Sequence, residues 1–222
     1  MNSRNRMIRV NIGCGQSPIK GWQNFDNSIS LRLSKVPLLA KILNSLGILK
    51  AAQNQFIKFA RENKIKYGDA TKGLPLIQKS CEVIYSSHML EHLDRNEADK
   101  FLKEAYRLLC PSGTIRIAVP DIKKLIAQYD ISGDADAFIE ATLMCIPRPI
   151  TLPQKIKLLV VGTRHHQWMY DGNSLSRLLQ RHGFVETQIV PAGETTIPDP
   201  GSIDLHEQSS QSVYVEAKKP VT

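Results

Sequence analysis

The 222-residue chain carries 29 Lys and Arg against 21 Asp and Glu, with 42% hydrophobic and 23% charged residues. That balance is ordinary for a globular fold, and no apolar run approaches the roughly 20 residues of a membrane span. The length fits one domain with an insertion, and the net charge of +8 favours an anionic partner (nucleic acid, an acidic glycan or an anionic membrane surface) or a generally basic protein.

Met1 to Arg9 is polar and basic and lacks the apolar core and small-residue cleavage site of a signal peptide. Cys14, Cys81, Cys110 and Cys145 match no zinc or redox spacing, so reduced thiols in a cytoplasmic protein are expected. Apolar strand-like runs alternate with helical patterns, which predicts an α/β domain with a mainly parallel sheet. Ile8–Ile12 reads as the first strand, Trp22–Asp26 as a short second and Ile65–Tyr67 as a third. Glu82–Ser86 is the fourth, and Thr114–Val119 follows the turn Pro111-Ser112-Gly113 as the fifth. Ala98, Phe101, Leu102, Ala105, Leu108 and Leu109 share one helical face, and Asp94 with Glu97 resembles a capping box at that helix's start. A second helix carries Leu175, Leu178 and Leu179 between an Asp171 N-cap and Gly183. Phe184–Val190 and Ser212–Ala217 read as an antiparallel pair around a loop rich in Pro, Gly and Ser.

Two segments break the alternation. No acidic residue lies between Asp26 and Glu62, where basic residues punctuate a leucine-rich stretch that Pro37 and Gly47 divide into two or more helices. Ala141 to Tyr170 is likewise free of Asp and Glu. One domain over residues 1–222 is expected, with a helical insertion at about 28–63 and a lid at about 131–170.

The first strand empties into Gly13-Cys14-Gly15, where the backbone can approach a ligand closely. Ligands of open α/β sheets sit at the carboxyl ends of the strands, near the switch point. A dinucleotide fingerprint requires a third Gly opening a helix for the pyrophosphate; Pro18 stands there instead, which disfavours NAD. Asp26 ends the second strand, where a carboxylate can accept from both ribose hydroxyls. Asp69 follows the third strand, where it can accept from an adenine amino group while the Ala70 N–H donates to a ring nitrogen. Each Asp alone reads as a turn residue; three correctly typed strand ends in order point to a nucleoside site.

The same stretches carry a resemblance. Asn11-Ile12-Gly13-Cys14-Gly15, Gly21-Trp22-Gln23-Asn24-Phe25-Asp26, Gly68-Asp69-Ala70 and Ser87-His88-Met89-Leu90-Glu91-His92-Leu93 resemble class I S-adenosylmethionine (SAM)-dependent methyltransferases of the small type-11-like group. Leu108 to Gly113, Val119-Pro120-Asp121, His166-Gln167-Trp168-Met169-Tyr170-Asp171 and Ser212 to Ala217 extend the likeness over most of the chain. It is greatest to enzymes found beside polysaccharide assembly. The resemblance implies a Rossmann-like, mainly parallel seven-stranded sheet with an antiparallel C-terminal strand and helical lid insertions. It implies SAM as cofactor, held by Asn11, Gly13, Cys14, Gly15, Asp26, Asp69, Ala70, Ser87 and His88. Asn11 stands where the family often has an acidic residue and Ser17 where it often has a third Gly, but an Asn11 amide can still bond the methionyl amino group.

His88-Met89-Leu90-Glu91-His92 also matches the H-x-x-E-H pattern of zinc proteases. His88 falls at a strand–loop boundary, and no downstream residue is an evident further ligand, so no metal is expected; His92 reads as a packed structural histidine. Methyl transfer to a hydroxyl needs a base, and His88, then His165 or His166, are the candidates. The expected reaction is O-methylation of a small-molecule or lipid-linked saccharide hydroxyl. The basic apolar segments, as amphipathic helices, would cover the acceptor and could rest peripherally on the inner membrane face. A nucleic-acid methyltransferase and a non-catalytic SAM-fold partner protein are the alternatives. The first is disfavoured by Ser86-Ser87-His88-Met89, which stands where N-methylating enzymes commonly carry a Pro-Pro-aromatic motif.

Overall fold

A computed structural model describes residues 7–45, 47, 49, 51–145, 151 and 165–221. Seven strands form one sheet: β1 (Ile8–Ile12), β2 (Gln23–Asp26), β3 (Ile65–Tyr67), β4 (Cys81–Ser87), β5 (Leu109–Pro120), β6 (Val185–Val190) and β7 (Ser212–Lys218). Their order is β3-β2-β1-β4-β5-β7-β6. β7 lies antiparallel to both neighbours, and the remaining pairings are parallel. This is the Rossmann-like seven-stranded sheet expected from the sequence. The chain order reverses between β1 and β4, so the switch-point crevice opens beyond their carboxyl ends.

Several strand boundaries shift by one residue from the expected ones and one by five, and two of the shifts have a plain local cause. β2 starts at Gln23, since Trp22 turns back to donate its N–H to the Ile19 carbonyl. β5 starts at Leu109, ahead of the anticipated turn. Leu109 pairs with Cys81 and Thr114 with Val83, so Cys110 to Gly113 form a bulge within the strand rather than a turn before it.

Seven described helices accompany the sheet: α1 (Ile29–Ser34), α2 (Pro37–Ser45), α3 (Ala51–Glu62), α4 (Arg95–Leu108), α5 (Ile122–Ser132), α6 (Ala135–Thr142) and α7 (Gly172–Arg181). Pro37 opens α2, where its missing N–H costs nothing, and Gly47 follows that helix with a positive φ of 67°. The insertion is therefore three short helices. Asp94 caps α4 through a full capping box with Glu97, and Asp171 caps α7 in the same manner with Ser174. The segment expected as a lid, about 131–170, takes in the end of α5 and all of α6; residues 146–150 and 152–164 lie outside the described residues. No helix among the described residues is long and apolar enough to cross a membrane.

The two faces of the sheet are covered differently. Val10, Ile12, Ile84, Ile115, Ile117, Val213 and Val215 join Phe101, Leu102 and Leu108 of α4 and Leu175, Leu178 and Leu179 of α7 in the main core. The alternate residues of β4, Val83 and Tyr85, meet Ile19, Ile197 and Ile203, which come from loops. A loop has few apolar groups to bury, so polar anchors hold it there. Arg9 donates to the carbonyls of Pro198 and Asp199, and the Tyr85 hydroxyl donates to Glu207. Opposite each other on β5 and β7, Arg116 and Glu216 form an ion pair that is 0% and 1% exposed. Glu216 also accepts from the Thr195 and Thr196 hydroxyls and the Thr196 N–H, and Arg116 donates to the Glu194 carbonyl. Burial alone would raise the Glu216 pKa, but the hydrogen bonds from Thr195, Thr196 and Arg116 hold it below the ordinary 4.5.

Candidate functional site

The crevice begins at the glycine loop. Gly13 and Cys14 donate their N–H groups to the Phe25 carbonyl, which ties the loop to the end of β2. Gly13 has φ 74°, and a Cβ there would lie 2.5 Å from Met89, so this glycine admits the Met89 side chain from the loop after β4. Gly15, with φ 49°, faces open space. Cys14 is buried in the insertion's core, and burial pushes its thiol up to about 12, too high for nucleophilic work near neutrality.

No helix follows the loop. Asn24 replaces it as the organising group. Its amide donates to the carbonyls of Ile19 and Trp22, and its side-chain oxygen accepts from the Ile19 N–H. Asn11, 2% exposed, spends its two amide hydrogens on the Asn24 side-chain oxygen and the Ser17 carbonyl. Both amide hydrogens are thus engaged in holding residues 17–24, whereas the bond expected to a methionyl amino group, itself a donor, would use the side-chain oxygen. Asn24 is a functional support that sequence reasoning missed; its only signal was a buried polar residue inside a strand.

Asp26 is buried at the end of β2. One carboxylate oxygen accepts from the Gly15 N–H at 3.1 Å and the other from the Ser28 N–H at 2.8 Å. Each oxygen keeps a further lone pair, which is what two vicinal hydroxyls would require. Asp69 forms a tight Asx turn. One oxygen accepts from the Thr71 N–H and hydroxyl, the other from exposed Lys72. Burial opposes ionisation of Asp69, but the Lys72 and Thr71 hydrogen bonds outweigh it and hold its pKa below 3.8. Ala70 is buried beside it.

On the far side of the crevice, β4 ends at Ser87. His88 takes φ 48°, a left-handed conformation that costs a non-glycine residue roughly 1–2 kcal/mol. Its N–H is held by the Ala118 carbonyl at 3.0 Å. Its ring spans two partners: Nε2 lies 2.9 Å from Ser212 Oγ, and Nδ1 lies 3.3 Å from Glu91 Oε1. Glu91, in the 3-10 turn Leu90–His92, is 1% exposed. Its backbone carbonyl accepts from the N–H groups of Gln167 and Trp168, which docks residues 165–171 onto the turn. His166 is buried with its Nε2 at 4.0 Å from Glu91 Oε1, and burial lowers its pKa below 6.5. His92 meets His166 edge-on, with ring centroids 5.0 Å apart, and its Nδ1 lies 3.1 Å from the His165 carbonyl. The His165 ring turns away to the Leu143 carbonyl at 3.3 Å. Of the three candidate bases, His88 and His166 therefore flank one buried carboxylate and His165 does not. Sequence reasoning passed over Glu91 and Ser212; the H-x-x-E-H pattern was the signal for the first.

Residues 40–117 match the model of a methyltransferase domain. The matched stretch starts in α2 and takes in β3, β4, α4 and the first half of β5, while the glycine loop and Asp26 precede it. No curated protein matches the chain. Among solved structures, the fold resembles a SAM-dependent methyltransferase from Methanosarcina mazei at a TM-score of 0.53 and 15% identity, covering 96% of this chain and 92% of that one. It also resembles a Thermotoga maritima SAM-dependent methyltransferase described as a possible histamine N-methyltransferase. There the TM-score is 0.52 and identity 17%, over 96% of this chain and 82% of that one. At these identities the likeness is one of fold.

Proposed function

We propose that this methyltransferase, which takes its methyl group from SAM, delivers it to a hydroxyl of a saccharide or glycolipid. The single observation that carries the cofactor site is Asp26, a buried carboxylate at the end of β2 whose two oxygens each retain acceptor capacity next to the open side of Gly15. In this reading Asp26 accepts from the ribose hydroxyls, and Gly13, Cys14 and Gly15 bring backbone close to the ligand. Asp69 and the Ala70 N–H receive the adenine edge, and Ser87 and His88 border the reacting end. Asn11 holds residues 17–24 through its amide hydrogens, and in this reading its side-chain oxygen accepts from the methionyl amino group. The bound cofactor supplies an electrophilic methyl group on a sulfonium. The protein's task is to align an acceptor oxygen with it, and such positioning supplies much of the rate.

A sugar hydroxyl must lose its proton as it attacks. His88 is the base in this reading. The neighbouring Glu91 carboxylate favours a proton on Nδ1, which makes Nε2 the acceptor, held in this structure by the Ser212 hydroxyl and passed to the acceptor hydroxyl in the reaction. His166 stands second, on the other side of Glu91, and His165 third.

The acceptor's lipid-linked form is supported by α2. Val36, Leu38, Leu39 and Ile42 are exposed on and beside this helix, with Leu38 at 70%, next to exposed Lys35 and Lys41. Apolar side chains flanked by cations suit an anionic membrane surface. Co-sedimentation with vesicles containing anionic lipid at low salt is expected, and its loss in Leu38→Glu. Wild-type protein left wholly in the supernatant would remove the membrane from the proposal.

The cofactor site is tested by titration calorimetry with S-adenosylhomocysteine. Micromolar binding is expected in the wild type, weakened at least tenfold in Asp26→Ala. Undiminished binding by the variant would refute the assignment of Asp26. Absence of binding by the wild type would bring forward the reading of a non-catalytic partner protein.

A further inference from the structure

Glu91 presents a problem that the methyl-transfer reading does not solve. Its carboxylate is 1% exposed, and neither oxygen receives a hydrogen bond. A buried carboxylate without a counter-charge is costly, and proteins resolve the cost by pairing, protonation or metal coordination. Among the described residues no Lys or Arg forms an ion pair with it. Its neighbours are histidines instead, His88 at 3.3 Å and His166 at 4.0 Å.

One carboxylate oxygen of Glu91 and one ring nitrogen each from His92 and His166 lie within 4.8 Å of one another. The His92 tautomer leaves one ring nitrogen able to act as a ligand. With Nδ1 directed at the His165 carbonyl, its lone pair is on Nε2. A backbone carbonyl holding the second nitrogen of a metal-ligating histidine is a recurrent arrangement, because it fixes both tautomer and ring plane.

We infer that Glu91, His92 and His166 form a binding site for a divalent transition-metal ion of the zinc class. Two histidines and a carboxylate are a recognised zinc donor set with room for a fourth ligand. Tetrahedral zinc with bonds of about 2.0–2.1 Å sets its ligand atoms roughly 3.3 Å apart, so the ion draws the three donors together by at most about 1.5 Å. A protonated histidine would neutralise the carboxylate, but a divalent ion also engages both histidine lone pairs. Two ligands come from the turn after β4 and the third from the segment that enters α7. The bound ion therefore clamps residues 165–171 to the carboxyl end of the sheet, beside His88 and apart from the Asp26 side of the crevice. This also answers the H-x-x-E-H pattern: its Glu and second His are ligands, the remaining ligand is 74 positions downstream of His92, and His88 is left free.

The test uses the full chain carrying Cys145→Ser, which removes the exposed thiol as a competing zinc ligand. Chelator-stripped protein is titrated with Zn²⁺ against a chromophoric chelator, and with Co²⁺ while its visible spectrum is recorded. The expected result is one ion per chain and the intense visible bands of low-coordinate Co²⁺. His166→Ala and Glu91→Gln should each weaken Zn²⁺ at least a hundredfold, while His165→Ala, whose ring faces Leu143, binds as tightly as the parent. Zn²⁺ should also raise the melting temperature of the parent but not of His166→Ala. Far-ultraviolet circular dichroism of each variant reports separately on whether the domain has folded. No binding by the parent, or unchanged affinity in folded His166→Ala, overturns the proposal. If Glu91→Gln fails to fold, His166→Ala decides alone.

Discussion

Glu216→Ala is expected to destabilise the fold by about 3–5 kcal/mol, the usual effect of removing one partner from a buried ion pair. The cause is what the substitution leaves behind. Arg116 is 0% exposed, its guanidinium cannot lose its proton, and its Nε and Nη2 already lack hydrogen-bond partners. Thr195 and Thr196 lose their acceptor at the same time, and with them the loop that brings Ile197 and Ile203 onto Val83 and Tyr85. Denaturant melts measure the loss directly. The double variant Arg116→Met with Glu216→Leu should recover most of it, since no charge then remains buried. The pH dependence has a definite sign. The folded-state pKa of Glu216 is depressed, so its contribution is complete above about pH 4.5 and is lost as pH falls through the folded value. The wild type should therefore lose stability on acidification below pH 4.5 more steeply than the double variant. A cost under 1 kcal/mol for Glu216→Ala would mean that water reaches Arg116.

The second large effect is catalytic. His88→Asn is expected to lower kcat about 10²- to 10⁴-fold on a hydroxyl acceptor, the range ascribed to a positioned base. Asparagine is chosen because it tolerates the left-handed backbone conformation at φ 48°, so the change falls on the ring and not on the loop. S-adenosylhomocysteine affinity should fall less than tenfold in the same protein, since the ribose contact proposed for Asp26 lies across the crevice. A variant that keeps more than a tenth of wild-type kcat would exclude His88 as the base. His166→Ala would then be the next protein to assay.

Much of the fold was legible because it rests on local chemistry. Asp94 with Glu97, Asp171, Pro37 and Gly47 act within one or two turns of their own positions, so the helix ends they mark are where they were expected. The parallel strands read as apolar runs because both faces of the sheet are buried. Asp26 stands at the end of β2, and Asp69 just beyond β3, because in a parallel α/β sheet strand order and chain order together determine which ends share the crevice. The bulge at Cys110 to Gly113 was not legible: Pro-Ser-Gly is turn chemistry in any context, and only the pairing of Leu109 with Cys81 makes the preceding residues part of the strand.

Side-chain meetings at long range were the remaining unknown. Asn11 carries an amide suited to a ligand, yet its hydrogens go to Asn24 and Ser17, because its place in β1 turns it toward the loop-covered face of the sheet. His88, Glu91 and His92 were legible as one pattern, with His166 far along the chain. The approach of His166 to Glu91 depends on the docking of residues 165–171 against the turn after β4, through the Gln167 and Trp168 N–H groups. The sequence by itself determined the element order, the helix caps and the strand ends that carry Asp26 and Asp69, since these follow from backbone preferences of neighbouring residues. Only the tertiary structure decided which polar side chains are buried together without partners, because that balance of desolvation and pairing exists only once distant segments have excluded water from the same place.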